Sequence, residues 1–501
     1  MVPKPVEPWP VREKKAYHRP LLAGSLMTLL LLACFVLGRQ SASSAACWLQ
    51  IDLAKLTAMN NGTAGMDRQA CRSRYESWRY YKYFPFAASP YLQRKLRAYE
   101  ARHRRCAPGT PLYAKSVEQL RSGRSADAGM ECSYVVWLPF DGLGNRMLSM
   151  VSGFLYALLT DRVFLVALPP DSTDIFCEPF PARLQPPRPP SCVRQWFPGT
   201  TWRLPVDDGD FPVANLVPRG QDIEKSYTRL LDAKVIGPDA NATAAGVPPY
   251  VYLSIGWQLK DPLFFCGEHQ LVLGKVNWLL LYSDLYFSAS RAVAESVSHL
   301  LSRYLLHPTN PVWSLATRYY RSYLAPAKRR IGVQIRMFRY VATRSADNGG
   351  SNSTAILVAS LYADYYERLR SRYYVHAAKG GERVAVFQPS HEEQQATANM
   401  AHNQRALAEI YLLSFSEELL TSGTSTFGYV SSNLAGVRPT ILLTAYGHKV
   451  PDPPCRRAVS MEPCNLTPPK GVQCQSKPLK EDVERHVRVC EDSKNGVKFF
   501  D

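Results

Sequence analysis

Two glycine-containing segments carry polar side chains that could bind an anionic ligand. The first, Asp141-Gly142-Leu143-Gly144-Asn145-Arg146, directly follows a short apolar run at residues 135–138. Its glycines match the first two of the G-x-G-x-x-G pattern, in which a helix N-terminus faces phosphates, but Met147 stands at the third glycine position. A tight turn that needs only glycine dihedrals is the alternative. The polar side chains favour a ligand-contacting loop, and its predicted contacts are Gly142, Gly144, Asn145 and Arg146.

The second segment, residues 419–429, ends an apolar run with a glycine turn that carries four hydroxyl groups. A helix is predicted from near Phe427, so the hydroxyls and backbone N–H groups would lie at a helix N-terminus, which suits a diphosphate. Simple helix capping by the hydroxyls is the alternative. The predicted ligand contacts are Ser422, Gly423, Thr424, Ser425, Thr426 and Phe427.

Between these segments, two further motifs bear on ligand and metal binding. Alternating residues at 330–336 predict a strand that directs Gln334 and Arg336 to one side. Asp208-Gly209-Asp210 matches the D-x-D sequence that binds a divalent metal in many nucleotide-sugar transferases. No long apolar strand leads into it, however, and such a sequence is also ordinary turn chemistry. We therefore predict no metal site.

Hydrophobic patterns around these segments predict two α/β halves. The first has strands at 135–138, 163–168 and 251–255, with a helix that starts at Met147. A helix at 312–323 leads into the second, whose elements are the strand at 330–336, a helix at 360–374, a strand at 384–388 and a helix or strand at 406–413. Each half places a polar loop at the C-terminal end of a strand, where α/β sheets bind ligands. The predicted fold class is α/β, with two Rossmann-like lobes that face each other across a cleft.

The N-terminal region predicts a membrane anchor. Residues 21–38 carry no charge and reach the lower limit for a helix that spans a bilayer. Basic residues before this segment keep the N-terminus cytoplasmic by the positive-inside rule, so the body would be lumenal. A cleaved signal peptide is the alternative, because small residues follow the segment. Four glycosylation sequons agree with a lumenal body, at Asn61, Asn241, Asn352 and Asn465.

Charge and cysteine content agree with this location. The net charge of +18 favours anionic partners or a basic solvated surface, and a lumenal body argues against nucleic acid. Cys34 lies in the membrane segment, and the other cysteines form no C-x-x-C motif, so structural disulfides are expected rather than zinc ligands. Their odd number leaves at least one thiol unpaired or linked between chains. Cys177 and Cys192 are expected to pin the proline-rich segment between them, and a tail with four cysteines is expected to be stapled by disulfides.

Four separated stretches resemble, in sequence and order, the plant xyloglucan fucosyltransferase family (glycosyltransferase family 37). They are FDGLGNRMLSMVSGFLYALLTDRVFLV, HPTNPVW, IGVQIRMF and TSGTSTFGYVSSNLAGVRPTIL, and the likeness extends from about Cys71 to Asp501. The resemblance implies a GT-B variant of the two-lobed fold, here behind a single N-terminal transmembrane helix. It also implies a Golgi enzyme that transfers fucose from GDP-fucose with inversion to the 2-hydroxyl of a galactose. No metal or other cofactor is expected.

The resemblance also assigns roles to individual residues. Arg336 corresponds to the family's donor-phosphate arginine, and its guanidinium can hold a phosphate with two parallel hydrogen bonds. Gln334 and the two glycine loops would add donor contacts from opposite lobes. Asp284, where the family also keeps an aspartate, is the candidate base for the acceptor hydroxyl, with a helix N-cap as its alternative role. The predicted catalytic residues are therefore Asp284 and Arg336.

This reading gives a domain organisation for a single-pass type II Golgi membrane protein. Its parts are a cytoplasmic tail at 1–20, a transmembrane signal-anchor at 21–38, a stem at 39–70, an N-terminal α/β lobe on the acceptor side at 71–325, a C-terminal α/β lobe on the GDP-fucose side at 326–450 and a Cys-rich tail packed on the catalytic domain at 451–501. Its partners would be GDP-fucose and a galactose-terminated polysaccharide or glycoprotein. A homodimer is left open.

Alternatives remain for the acceptor and for the function class. Xyloglucan is the expected acceptor, with an arabinogalactan side chain as the alternative, because the chain departs from the family pattern at Leu285, Phe387 and Thr424. A lumenal glycan-binding protein that keeps the fold without transfer is the second function class. A Rossmann oxidoreductase is the third, disfavoured by Met147 and by the secretory location.

Overall fold

The computed structural model describes residues 69–81, 90–121, 131–139, 142–159, 161–167, 170–180, 203–204, 250–255, 297–336, 353–376, 378, 381–443, 451–464, 487–493 and 497–499. The predicted anchor at 21–38, the four sequons, residues 208–210 and Asp284 lie outside these ranges. Within them, no helix has both the length and the apolar composition needed to cross a membrane.

The N-terminal half contains a parallel sheet of β1 (Tyr134–Pro139), β2 (Val163–Ala167), β3 (Arg203–Leu204) and β4 (Tyr250–Ile255). The spatial order is β3-β2-β1-β4, and Val135 lies opposite both Phe164 and Val251. The chain continues from β1 to β2 on one side of β1, whereas β4 pairs with β1 on the other side. The segment after β1 therefore lies at the topological switch point of the sheet.

The C-terminal half contains a second sheet of β5 (Arg329–Gln334), β6 (Thr354–Ala359), β7 (Val384–Phe387), β8 (Glu418–Ser422), β9 (Thr440–Leu442) and β10 (Cys455–Arg457). Its order is β10-β9-β8-β5-β6-β7, and the pairings are parallel except for antiparallel β10. The strand order reverses between β5 and β8. The segments that follow these two strands therefore meet at a second switch point.

A layer of helices connects the two sheets. The helices are α1 (Arg72–Glu76), α2 (Pro90–Cys106), α3 (Pro111–Arg121), α4 (Leu143–Leu159), α5 (Val297–Leu305), α6 (Asn310–Tyr319), α7 (Asp364–Val375), α8 (Met400–Ser414) and α9 (Thr426–Ala435). Helix α4 contacts β1 and β2 on one side and α9 on the other, and α9 contacts β8. One hydrophobic cluster consequently contains residues of both halves, among them Trp137, Phe154, Trp313, Leu419 and Tyr429.

Disulfides link cysteines within the N-terminal half and within the tail. The pairs are Cys71–Cys177, Cys106–Cys132 and Cys464–Cys490, and within the described residues Cys455 is unpaired. The expected pairing of Cys177 with Cys192 is wrong. Cys177 meets Cys71 because both flank Pro308: Ser73 Oγ donates to the Pro308 carbonyl at 2.7 Å, and Phe176 forms a β-bridge with Pro308. The expected stapling of the tail is confirmed for Cys464–Cys490.

The predicted strands are confirmed with small shifts at their ends, but the predicted starts of two helices are wrong. Helix α4 begins at Leu143 rather than at Met147, because packing against α9 outweighs the low helix propensity of Gly144. The helix predicted from residue 360 begins at Asp364, and the strand before it, Thr354–Ala359, was not predicted. The ambiguous segment at 406–413 belongs to α8.

Candidate active site

A cleft of about 480 Å³ lies between the two halves, at the switch points of both sheets. The first turn of α4 forms one wall. The other walls come from the ends of β5 and β6, the loop after β7, helix α8 and the N-terminus of α9. Of the predicted ligand contacts, those that line the cleft are Gly142, Gly144, Asn145, Gln334, Arg336, Ser425, Thr426 and Phe427.

The contact between α4 and α9 explains the second glycine of the first loop. A Cβ atom at Gly144 would lie 2.7 Å from Thr426 Oγ1 and 2.9 Å from the backbone nitrogen of Phe427. Only glycine lets the first turns of these two helices approach this closely. Gly144 and Asn145 therefore belong to a helix N-terminus that faces the cleft, and not to an extended glycine turn.

Arg146 faces a different environment. Its Nη1 donates to Asp171 Oδ1 at 2.6 Å and to Ser172 Oγ at 2.7 Å, and the Arg146 and Asp171 side chains are 12% and 14% exposed. Arg146 is not among the residues that line the cleft. The structure thus brings Gly142, Gly144 and Asn145 to the site, whereas the Arg146 ion pair anchors α4 to the short 3₁₀ turn Pro170–Ser172.

The ends of β5 and β8 are tied together beside the cleft. The backbone N–H of Arg336 donates to Ser422 Oγ at 2.9 Å, and the Ser422 N–H donates to Gln334 Oε1 at 3.2 Å. Ser422 and Gln334 are both buried, whereas Arg336 is exposed at the cleft. Ser422 therefore holds the strand ends in register, and Arg336 lines the cleft beside them.

The turn after β8 divides into two parts. Ser425, Thr426 and Phe427 line the cleft, and Ser425 is the N-cap of α9. Ser425 is 1% exposed, and its Oγ has no hydrogen-bond partner among the described residues. By contrast, the Gly423 N–H donates to the Leu442 carbonyl at 2.9 Å, and the Thr424 N–H donates to Asp492 Oδ2 at 2.7 Å. The predicted contacts at Gly423 and Thr424 thus face β9 and the tail.

A cluster of ionisable residues lies in the wall that the loop after β7 and helix α8 form. Glu392 accepts hydrogen bonds from Arg405 Nε and from His402 Nδ1. Nδ1 is the donor nitrogen of the His402 ring because Nε2 accepts a hydrogen bond from the Ala396 N–H at 3.4 Å. Burial raises the pKa of Glu392, but the hydrogen bonds from Arg405 and His402 outweigh it and hold the pKa below its usual value. Glu392 therefore presents a stable negative charge in this wall.

Glu409, in the same wall, is neutral rather than negatively charged. Its Oε1 lies 2.5 Å from Ser390 Oγ, and burial raises the pKa of Glu409 to about 8. The side chain therefore carries a proton at neutral pH. This wall was not predicted, although His402, Arg405 and Glu409 recur on one face of α8 at helical spacing.

Sequence comparison identifies the family that builds this site. A family model described as Xyloglucan fucosyltransferase matches residues 58–187, 191–348 and 339–475. The chain belongs to this family.

Individual relatives of the fucosyltransferase support the same family assignment. It is 39% identical over 483 residues to a galactoside 2-alpha-L-fucosyltransferase of Pisum sativum, an alignment that covers 87% of this chain and 80% of that protein. The Arabidopsis thaliana protein of the same name is 39% identical over 480 residues, with 87% and 81% covered. A solved structure of an Arabidopsis thaliana FUT1 mutant in complex with GDP aligns with a TM-score of 0.68 and 34% identity, over 89% of this chain and 99% of that one. The predicted family, the fucosyltransferase class of enzyme and the α/β fold class are confirmed.

Two of the predicted roles fall on parts of the fucosyltransferase that the structure does not describe. Asp284 and the Asp208-Gly209-Asp210 sequence both lie there, so the base and the absence of a metal stay predictions. Among the described residues, Cys464, Cys490 and Asp492 come together with spacing that could suit a metal. Because these cysteines form a disulfide, they offer no thiolate, and the group does not predict a metal site.

Proposed function

We propose that the fucosyltransferase transfers fucose from GDP-fucose to the 2-hydroxyl of a galactose on a plant cell-wall glycan. One observation carries the donor part of this proposal: the N-terminus of α9, with a Ser425 hydroxyl that has no hydrogen-bond partner in the described part of the chain, opens into the cleft beside Arg336. The GDP complex of FUT1, a protein 34% identical to this chain, supports a guanosine diphosphate donor. The names of the Pisum sativum and Arabidopsis thaliana relatives support a galactoside acceptor and transfer to O2.

The chemistry follows from the charge that must be stabilised. As the bond between fucose C1 and the β-phosphate oxygen breaks, negative charge grows on the GDP leaving group. The helix dipole and the first N–H groups of α9, the Ser425 and Thr426 hydroxyls and the Arg336 guanidinium are all suited to bind that charge. Asn145 would contribute from the α4 side. These donors can replace a divalent ion, so we propose that transfer needs no metal and no other cofactor.

Transfer would occur with inversion in one displacement. The acceptor O2 forms a bond to C1 on the face opposite GDP, GDP leaves with the electrons of the broken C1–O bond, and the hydroxyl proton passes to a base. Asp284 is the proposed base, with an N-cap as its alternative role. The Asp284→Asn variant separates the two, because asparagine caps a helix almost as well as aspartate but cannot accept the proton.

The remaining parts of the proposal concern fold details, location and acceptor. We propose a GT-B variant with two Rossmann-like lobes divided near residue 325, a single N-terminal transmembrane helix at 21–38 and a catalytic body in the Golgi lumen. Xyloglucan is the proposed acceptor, with arabinogalactan side chains as the alternative. Transfer of labelled fucose from GDP-fucose to an array of both glycans distinguishes them, and the same assay in EDTA tests metal independence: loss of activity that manganese restores would contradict it.

Arg336→Lys tests the donor site, because lysine keeps the charge but loses the planar fork of donors. The expected loss in kcat/KM for GDP-fucose is about 10- to 150-fold, corresponding to about 1.5–3 kcal/mol for hydrogen bonds to a charged group. Arg329→Lys is the matched control, since Arg329 begins the same strand and pairs with Glu418 at 2.8 Å, outside the cleft lining. Equal activity of the two variants would remove Arg336 from the donor site.

A further inference from the structure

The turn that leads into α9 adopts a conformation that its sequence disfavours. Thr424 has a φ of 55°, in the left-handed region. A β-branched side chain is strained there, because its Cβ approaches the following carbonyl oxygen too closely. The hydroxyl of Thr424 donates to the neighbouring Gly423 carbonyl at 2.8 Å. Because Thr424 directly precedes the N-cap Ser425, its conformation sets the direction in which the first N–H groups of α9 point.

One carboxylate from the tail holds this conformation. Asp492 Oδ2 accepts the Thr424 N–H at 2.7 Å and the Tyr429 hydroxyl at 2.5 Å. It therefore connects the strained residue before α9 to a buried side chain within α9. Gly423 leaves room for this contact, since a Cβ there would lie 3.0 Å from Asp492 Cβ.

The segment that carries Asp492 is itself firmly attached. Cys490, two residues earlier, is bonded to Cys464. The neighbouring Glu491 pairs with Lys498 at 2.8 Å, and these side chains are 8% and 2% exposed. Glu491 Oε1 also accepts the Val459 N–H at 2.6 Å. Asp492 thus projects from a fixed platform outside the cleft, and it does not line the cleft.

We propose that Asp492 is a positioning residue for the donor diphosphate. It acts through the Thr424 N–H and the Tyr429 hydroxyl, and it keeps the first turn of α9 aimed into the cleft before the donor arrives. The inference rests on the proposed function, because it takes the α9 N-terminus as the binding site for the β-phosphate. If the turn relaxes without Asp492, only a fraction of molecules can bind the diphosphate, and the apparent dissociation constant rises in inverse proportion to that fraction.

The test compares binding of GDP with binding of GMP, measured by titration calorimetry on the full chain. In the parental protein GDP should bind more tightly, since GMP lacks the β-phosphate. Asp492→Ala should weaken GDP roughly tenfold and GMP far less, because a relaxed turn costs mainly the β-phosphate contacts. Asp492→Asn should recover most of the affinity, since an amide oxygen can still accept the Thr424 N–H. The KM for GDP-fucose should follow the GDP affinity.

Two tyrosine variants keep the inference testable if Asp492→Ala folds poorly. Tyr429→Phe removes only the hydroxyl that bonds to Asp492, and it should weaken GDP about threefold, a loss typical of one hydrogen bond. Tyr411→Phe is the matched control, because its hydroxyl donates to the Leu306 carbonyl at 2.6 Å in the same core, away from the turn. An unchanged ratio of GDP to GMP affinity in the Asp492 and Tyr429 variants would overturn the inference. A parental protein that binds GMP as tightly as GDP would instead refute the proposed diphosphate site, and the inference with it.

Discussion

Gly144→Ala tests whether the contact between α4 and α9 sets the geometry of the cleft. The new Cβ would lie 2.7 Å from Thr426 Oγ1 and 2.9 Å from the Phe427 nitrogen, which is backbone and cannot swing away. Because carbon atoms pack best at about 3.5–4.0 Å, the two helix N-termini must separate by roughly 0.5–1 Å. Overpacking of this kind costs about 1–3 kcal/mol of stability. A displacement of about 1 Å among groups that position the substrate can lower turnover about 100-fold.

The assay is steady-state transfer from GDP-fucose, together with the thermal unfolding midpoint. Gly153→Ala is the control, because Gly153 lies in the same helix and its Cβ would be 3.0 Å from Phe164 Cε2, within the N-terminal core. We expect both variants to lose comparable stability and only Gly144→Ala to lose about two orders of magnitude in kcat. A Gly144→Ala enzyme that turns over at the parental rate would refute the reasoning, since the α4–α9 contact would then have no bearing on catalysis.

Three further predictions concern the charges and the disulfide around the site. Arg146→Met should lower the free energy of unfolding, measured in urea, by about 3 kcal/mol, because it leaves the largely buried Asp171 carboxylate without its cation. The GDP dissociation constant should not change, and a weakened GDP affinity would return Arg146 to the donor site. For Glu409, burial raises the pKa from 4.5 to about 8, so the folded state keeps a proton that the unfolded state releases. Its contribution to the free energy of unfolding should therefore fall as pH rises from about 4.5 to about 8, by up to about 1.4 kcal/mol per pH unit, and a Glu409→Gln variant with the parental pH profile would contradict this. Replacing Cys464 and Cys490 with serine removes their disulfide and should lower the free energy of unfolding by about 3 kcal/mol for a sequence separation of 26. It should also weaken GDP binding more than removal of the Cys106–Cys132 disulfide, which has the same separation.

Local sequence patterns were sufficient to predict most strands that position the site, although not the strand Thr354–Ala359. Apolar runs such as that before Gly142 are buried strands, and the segments after β5 and β8 meet because parallel strands direct their C-terminal ends to one edge of a sheet. The segment after β1 belongs to the other sheet and reaches the same cleft because α4 packs against α9. The start of α4 was not predictable in this way. Gly144 lowers local helix propensity, and its reason for being glycine is Thr426, which is distant in sequence.

The remaining features of the site depend on contacts that no local pattern encodes. Arg146 has the residue type of a phosphate ligand, yet its partner Asp171 is apparent only once the turn after β2 has folded. The charge states of Glu392 and Glu409 differ because of burial and neighbours, which one sequence does not reveal. Asp492 lies in a segment that resembled a disulfide-stapled tail, and its contact with Thr424 exists only in three dimensions.

The hydrophobic cluster shared by both halves has a consequence for how the protein is made. Val135 and Phe154 bury their side chains in the same cluster as Leu419 and Tyr429, so the α4 surface stays uncovered until the second sheet has been synthesised. At ribosomal rates of about 5–20 residues per second, that interval lasts on the order of tens of seconds. Proteins built from two lobes usually fold one lobe at a time as the chain emerges, but the N-terminal half of this chain cannot complete its folding in that way. Either half expressed alone should aggregate through the face that the other half covers.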